Sequence, residues 1–214
     1  MTNTIVSESE QTNKFDRIIH DLTTTGLSIC DDFVSPLLVS NLNIEARTLH
    51  SNGDFRHARV GKGTSLQLRE EIRNDHILWL DPENPTAIQK PYFQELETLR
   101  ACINSNLFLG LFEYEGHFAL YPPGASYKMH YDRFIGAHHR VVTAILYLNL
   151  DWRTEDGGCL KIYEGTEPST LPLPMEVLPL GGRLVTFISE QFPHEVLPAS
   201  RDRLSLTGWF RIRD

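Results

Sequence analysis

Apolar and polar positions along the chain follow two regimes that meet near Phe112. In the first, Phe15, Ile18, Ile19 and Leu22 recur at helical spacing, and Thr25-Gly26 supplies a stop. Ser35-Pro36 opens a second helix through about His50, with serine as the cap and proline in the first turn. Phe93, Leu96, Leu99 and Cys102 place a third over about Pro91 to Ile103, and Leu27 to Cys30 reads as a short strand. Helices thus dominate the first half, behind a polar tail, residues 1 to 13, that is expected to be disordered.

From Phe112 onward the pattern changes to short apolar-alternating segments broken by glycine and proline, with no helical stripe. In the last of them Leu204, Leu206 and Gly208 alternate with Ser205, Thr207 and Trp209. Such a run of strands indicates a sandwich or barrel. No internal repeat or interdomain linker is visible, so residues 14 to 214 are expected to form a single domain. A length of 214 residues is normal for one such β domain, and a hydrophobic share of 41 % supports a core of ordinary size.

Composition narrows the function classes. A formal charge of -8 argues against general affinity for phosphate backbones, and the arginines at 201, 203, 211 and 213 are the main basic cluster. No nucleic-acid partner is expected. No apolar run approaches a membrane span, and the N-terminus lacks a basic start and an apolar signal core. The three cysteines, 30, 102 and 159, show no metal or redox spacing, which fits a reduced compartment. The expectation is a cytoplasmic protein with no membrane partner.

Candidate chemistry lies in His130, Asp132, His194 and Arg203. Residues i and i+2 of a strand share a face, so His130 and Asp132 can grip one ion. His194 lies in Phe-Pro-His-Glu-Val-Leu-Pro, where the prolines exclude a helix interior and suit a strand end. Two imidazoles and a carboxylate are the set that holds a non-haem ferrous ion on one face and leaves other positions open to oxygen. Arg203, nine residues after His194, places a planar cation on a neighbouring strand, where it can clamp a carboxylate bidentately. Each residue alone is weak, but all four at prescribed spacing match by chance only roughly once in a thousand chains.

With these residues stand Tyr-Pro-Pro-Gly (121 to 124), His-Tyr-Asp (130 to 132), Arg-Val-Val-Thr-Ala-Ile-Leu-Tyr-Leu-Asn (140 to 149), Gly157-Gly158 and Pro-His-Glu-Val (193 to 196). On these stretches the chain resembles the iron(II)- and 2-oxoglutarate-dependent dioxygenases, in the prolyl hydroxylase branch that includes the animal oxygen-sensing enzymes and their bacterial relatives. The resemblance runs from about Phe15 to Arg213. It implies an α+β, mainly β fold: a double-stranded β-helix, or jelly roll, with the N-terminal helices packed outside. It implies iron bound by His130, Asp132 and His194, and 2-oxoglutarate and O2 as cosubstrates, with ascorbate as an accessory reductant. Arg203 and Tyr147 would meet the distal carboxylate of 2-oxoglutarate, Tyr121 would sit near its chelating end, and Thr207 would orient a water near the metal. Collagen-type enzymes carry lysine at the place of Arg203, which favours the oxygen-sensor side. Ile145, Val185, Phe187 and Trp209 are candidates for the apolar wall that shields an oxidant from water.

Residues 52 to 84 resemble the mobile cover that selects substrate in this branch, and the glycines at 53, 61 and 63 suit a flexible loop. Arg73 and Asp75 would contact a peptide, Asp75 would pair with Arg140 across the mouth, and Trp209 would face the substrate. His76, His138 and His139 are not expected to be ligands, since the triad is complete. The resemblance implies prolyl 4-hydroxylation of a protein, releasing succinate and CO2, and a monomer is expected. The shortness of the chain points to a bacterial member, and the bacterial relatives suggest elongation factor Tu as target. A hydroxylase of a small molecule such as free proline, and a non-catalytic 2-oxoglutarate or metal sensor, stay open.

Overall fold

A computed structural model describes residues 8–58, 69, 71–132, 139–163 and 174–213, with the side chains of 8–13 left aside. Three helices precede most of the strands. Helix α1 spans Glu8–Thr24, α2 spans Pro36–Ser51 and α3 spans Lys90–Leu107. In α1, Phe15, Ile18 and Leu22 are buried, and the helix begins at Glu8 instead of near Phe15. Once packing has fixed those turns, each further residue costs no new nucleation, so the helix extends into the expected tail. The α2 N-terminus follows the sequence signals: the Ser35 hydroxyl accepts the Leu38 N–H, and Pro36 occupies the first turn. The buried face of α3 is Tyr92, Leu96, Leu99 and Ile103, not the 93/96/99/102 stripe. A strict three-residue step drifts around a 3.6-residue turn, so a helix lying flat on a core alternates steps of four and three.

Strands β1 (Leu27–Cys30), β9 (Leu184–Ile188), β6 (Arg140–Tyr147), β11 (Arg203–Arg211), β4 (Glu113–Tyr121), β3 (His76–Trp79) and β2 (Arg56–His57) form a seven-stranded sheet in that order. A second sheet orders β5 (Tyr127–His130), β10 (His194–Val196), β7 (Leu160–Ile162) and β8 (Met175–Val177). All of these pairings are antiparallel. The two layers with helices outside are the mainly β jelly roll that the sequence resemblance implied. The expected flexible cover is in part regular: β3 joins the large sheet beside β4, and β2 pairs with β3. Gly61, Gly63 and His138 lie outside the described residues.

The pleat divides the large sheet into two faces. Phe118 and Leu120 of β4, Val142, Ala144 and Leu146 of β6, and Leu204, Leu206 and Phe210 of β11 face the helices in the main core. The odd-numbered residues of the same strands face the second sheet, and that face carries the chemistry. Among the described residues, no helix is long and apolar enough to cross a membrane.

Candidate active site between the two sheets

The cavity floor follows from strand register. On β11, Arg203, Ser205, Thr207 and Trp209 stand opposite Tyr121, Ala119, His117 and Glu115 of β4, and the last three stand opposite Tyr147, Ile145 and Thr143 of β6. The cavity between the sheets holds about 1040 Å³, and Arg203, Tyr121, Thr207, Ile145, His117 and Trp209 line it together with His130, Asp132 and His194. Val185 and Phe187 lie buried behind this wall, with the Phe187 ring 5.0 Å from that of His194.

The triad forms where the small sheet brings its ends together. His130 closes β5 and His194 opens β10, and the two are direct cross-strand partners. Asp132 follows two residues later. His130 Nε2 lies 3.7 Å from Asp132 Oδ1, and His194 Nε2 lies 3.6 Å from Asp132 Oδ2. One ligand atom from each residue falls within 4.8 Å of the other two. Both histidines turn Nδ1 toward a backbone carbonyl, His130 to Lys128 O at 2.8 Å and His194 to Phe192 O at 3.0 Å. A carbonyl only accepts, so Nδ1 carries the proton and Nε2 presents a lone pair to the shared centre. Burial lowers the pKa of His194 to about 4, against the pull of Asp132, which keeps the ring a neutral ligand at ordinary pH. Burial works against ionisation of Asp132, but His194, His130 and the Thr143 hydroxyl more than offset it and hold the carboxyl well below the usual range. Thr143 Oγ1 donates to Asp132 Oδ2 at 2.8 Å and meets Ser189 Oγ at 2.9 Å. Neutral imidazoles and an oriented carboxylate on one side of an open cavity fit a ferrous ion.

Arg203 is 2 % exposed at the other end of the cavity. Its Nε donates to the Gly158 carbonyl at 2.8 Å, and its guanidinium carbon lies 5.0 and 5.2 Å from the rings of Tyr147 and Tyr121. Among the described residues it forms no ion pair with a carboxylate. Among the described residues the hydroxyl of Tyr147, buried beside it, makes no well-formed hydrogen bond, although Tyr147 does not itself line the cavity. A buried cation and an orphan hydroxyl fit an incoming carboxylate. Gly158 has φ +70, and a Cβ there would lie 3.2 Å from Arg203 Cδ, so glycine permits this approach. Thr207 meets Ser205 Oγ at 3.1 Å on the cavity wall.

The expected pairing of Asp75 with Arg140 is not the one present. Asp75 is fully buried and accepts from Nε and Nη2 of Arg73, at 2.8 and 2.6 Å. The two alternate on one short extended segment, so the bidentate pair closes locally without reaching across the mouth. Arg140 instead donates to Glu115 at 2.7 Å and lies 3.5 Å over the Trp209 ring. Arg73, Arg140 and Trp209 line the cavity; Asp75 does not. His76 hydrogen-bonds His50 at 3.0 Å, and neither it nor His139 joins the triad cluster.

Sequence reasoning missed four residues. Tyr127 stacks on His130 at 3.6 Å, Thr143 orients Asp132, and His117 and Trp79 line the wall with rings 4.8 Å apart. Thr143 and His117 carried a signal, since each is a polar residue within an otherwise apolar strand pattern.

A sequence profile described as the 2OG-Fe(II) oxygenase superfamily matches residues 116–211. Human Egl nine homolog 1 is 31 % identical over 194 residues, 86 % of this chain, and the chain spans 43 % of that protein's length. A crystal structure of a Pseudomonas putida prolyl-4-hydroxylase is 42 % identical, with a TM-score of 0.82 over 94 % of this chain and 100 % of that one. The Trichoplax adhaerens prolyl hydroxylase, solved with a hypoxia inducible factor peptide fragment, shares the fold at a TM-score of 0.84 and 24 % identity, over 98 % of this chain and 94 % of that one. On a common fold and this level of identity over the whole of a prolyl-4-hydroxylase chain, the protein belongs to the 2OG-Fe(II) oxygenases of the prolyl hydroxylase type.

Proposed function

We propose that the protein hydroxylates prolyl residues of a protein substrate, with His130, Asp132 and His194 as the iron ligands and Arg203 as the anchor of 2-oxoglutarate. The observation that carries this reading is the buried Arg203, without a carboxylate partner among the described residues, in the same cavity as the triad. When bound, iron(II) supplies O2 activation coupled to decarboxylation of 2-oxoglutarate, which yields succinate, CO2 and a hydroxylated product.

The residues around it have separate tasks. Arg203 pairs with the distal carboxylate, and the Tyr147 hydroxyl donates to it once that carboxylate arrives. Thr143 holds one Asp132 oxygen, which fixes the carboxylate's orientation toward the histidines. Ile145 and Trp209 exclude water from the reacting face, and Tyr121 lines the same cavity with its ring 5.2 Å from the Arg203 guanidinium carbon. A cavity of about 1040 Å³ exceeds what a five-carbon dicarboxylate fills, which leaves room for a substrate residue next to the triad. Arg140 and Arg73 at its wall serve the peptide, Arg73 while pinned by Asp75. Elongation factor Tu is the first target to test, on the strength of the family resemblance.

The experiment is tandem mass spectrometry of host proteins from a strain lacking this gene, incubated with enzyme, ferrous iron and 2-oxoglutarate, with His130→Ala as control. A proline gaining one oxygen only with active enzyme supports the reading and names the target. Succinate without any oxidised protein would overturn the protein substrate, and 2-oxoglutarate binding without succinate would overturn catalysis.

A further inference from the structure

His130 is half-buried at the end of an edge strand. Strand β5 is the outer strand of the small sheet, and its Lys128 and Met129 are exposed. Edge strands fray readily, and the hydrogen bond from His130 Nδ1 goes to the carbonyl of Lys128 in the same strand, so it cannot hold the strand in place. Something outside β5 has to fix the ring.

The Tyr127 ring lies parallel to His130, with centroids 3.6 Å apart and planes 15° apart. The Arg73 guanidinium carbon lies 4.4 Å from the same Tyr127 centroid. An imidazole that close leaves no space for a guanidinium on its own face, so the phenol is sandwiched between the two. Asp75 then locks Arg73 through Nε and Nη2 and is itself fully buried at the entry to β3. The backbone follows the same line: Arg73 bridges to Tyr127, Lys128 N donates to Ile72 O at 2.9 Å, and Ser126 N donates to the Asn74 side chain at 2.8 Å. A continuous column therefore runs Asp75, Arg73, Tyr127, His130 from the large sheet to the edge of the small one.

We infer that Arg73, Asp75 and Tyr127 are positioning residues that hold the His130 imidazole in its metal-binding orientation, coupling the segment before β3 to metal affinity. The inference rests on the proposed ligand role of His130. Asp75 also balances the Arg73 charge, so the column presents no uncompensated cation to the metal side. Groups that orient a metal-bound histidine contribute roughly tenfold to hundredfold to affinity. Linkage makes the coupling reciprocal, so a bound metal must in turn stabilise the segment.

The test is titration of the metal-free protein with Co(II), following affinity and the visible Co(II) absorption, in Arg73→Leu, Tyr127→Leu and Tyr127→Phe. The leucine variants are expected to bind roughly tenfold to hundredfold more weakly with an altered spectrum. Tyr127→Phe keeps the ring and stays near the parent. Parental affinity and spectrum in both leucine variants overturn the inference, even if peptide KM rises, because Arg73 would then serve substrate alone. Should Tyr127→Leu lose its native circular dichroism, hydrogen exchange of the parent decides: Zn(II) must slow exchange of the Lys128 and Ser126 amides, and unchanged rates refute the coupling. A His130→Ala protein that bound Co(II) like the parent would instead defeat the ligand assignment itself.

Discussion

Replacing Arg203 by methionine separates the cosubstrate site from the metal site. In the free protein the guanidinium is 2 % exposed and holds one hydrogen bond, Nε to Gly158 O at 2.8 Å. Burying a cation without an anion is unfavourable by several kcal/mol, and removing it recovers part of that while orphaning one carbonyl at about 1–3 kcal/mol. These terms oppose each other, so the free variant should melt within about 4 °C of the parent. The bound state has no such cancellation. Truncating one partner of a buried, hydrogen-bonded charge pair costs about 2–5 kcal/mol, or roughly 30- to 3,000-fold in 2-oxoglutarate affinity. The assay is thermal melting with saturating Mn(II), with and without 2-oxoglutarate at about a hundred times its parental Kd. At that concentration the parent gains about 2.7 kcal/mol, a rise of roughly 5–11 °C for a chain of this size. The variant should gain at most about 0.9 kcal/mol, a third of the parental gain, while keeping its response to Mn(II). A parental shift with 2-oxoglutarate in Arg203→Met would refute the anchor, and loss of the Mn(II) response would show that Arg203 supports the metal site.

Tyr147→Phe should weaken 2-oxoglutarate binding by about 1.5 kcal/mol, roughly tenfold by calorimetry, while leaving the free protein no less stable, because the lost hydroxyl is buried without a partner. Gly158→Ala should lower stability by about 1–2 kcal/mol from the positive φ, and raise the KM for 2-oxoglutarate by pressing on Arg203 Cδ; an unchanged KM would show that the Gly158 contact does not place the guanidinium. Burial lowers the pKa of His117 to about 3, against an unfolded value near 6.5, so the unfolded chain binds a proton that the folded one refuses. Stability from this group is complete above pH 6.5 and falls with acidification, by roughly 2 kcal/mol between pH 6.5 and 5. Urea titrations of parent and His117→Leu across that range should differ in slope by this amount, and parallel curves would mean His117 titrates normally.

The triad could be read from the sequence because metal ligation constrains residue type and spacing at once. His130 and Asp132 are two apart and His194 is bracketed by prolines, although Asp132 lies beyond the end of β5 and does not share its strand as the spacing had implied. The helix ends at Ser35-Pro36 and Gly26 were legible for the same local reason. Strand β3 was not, because His-Ile-Leu-Trp is too short to show a period and acquires strand geometry from pairing with β4. The partner of Asp75 was misread because sequence gives candidate charges without distances: the pairing expected with Arg140 gave way to the local bidentate pair with Arg73, two residues away. Tyr127 carried no signal, since a tyrosine beside a ligand in an exposed strand reads as surface until its stacking on His130 is seen.

Register explains how one sheet supports both a core and a reactive site. A slip of one residue between β11 and β4 would replace Arg203 by Leu204 at the cavity and put the cation into the core. The even face prevents it. Leu204, Leu206, Phe118, Leu120 and Phe210 are each no more than 2 % exposed, and each contributes about 1.5–3 kcal/mol by burial. Leu204 N donates to the buried Asn149 side chain at 2.6 Å, and Gly208 faces Gly116 where the Tyr114 ring leaves no room for a Cβ at either. The odd face carries the opposing costs: His117 Nδ1, Tyr147 Oη and Trp209 Nε1 are all buried without partners among the described residues. Each orphan is unfavourable by about 1–3 kcal/mol in the free protein, and the even face offsets them. Apolar replacements that remove these three orphaned groups should therefore not destabilise the fold while impairing function, whereas truncations at even positions should lower stability without changing which ligand the cavity accepts. Stability and chemistry are set at alternate residues of the same strands, and the core on one side is what makes the unsatisfied groups on the other tolerable.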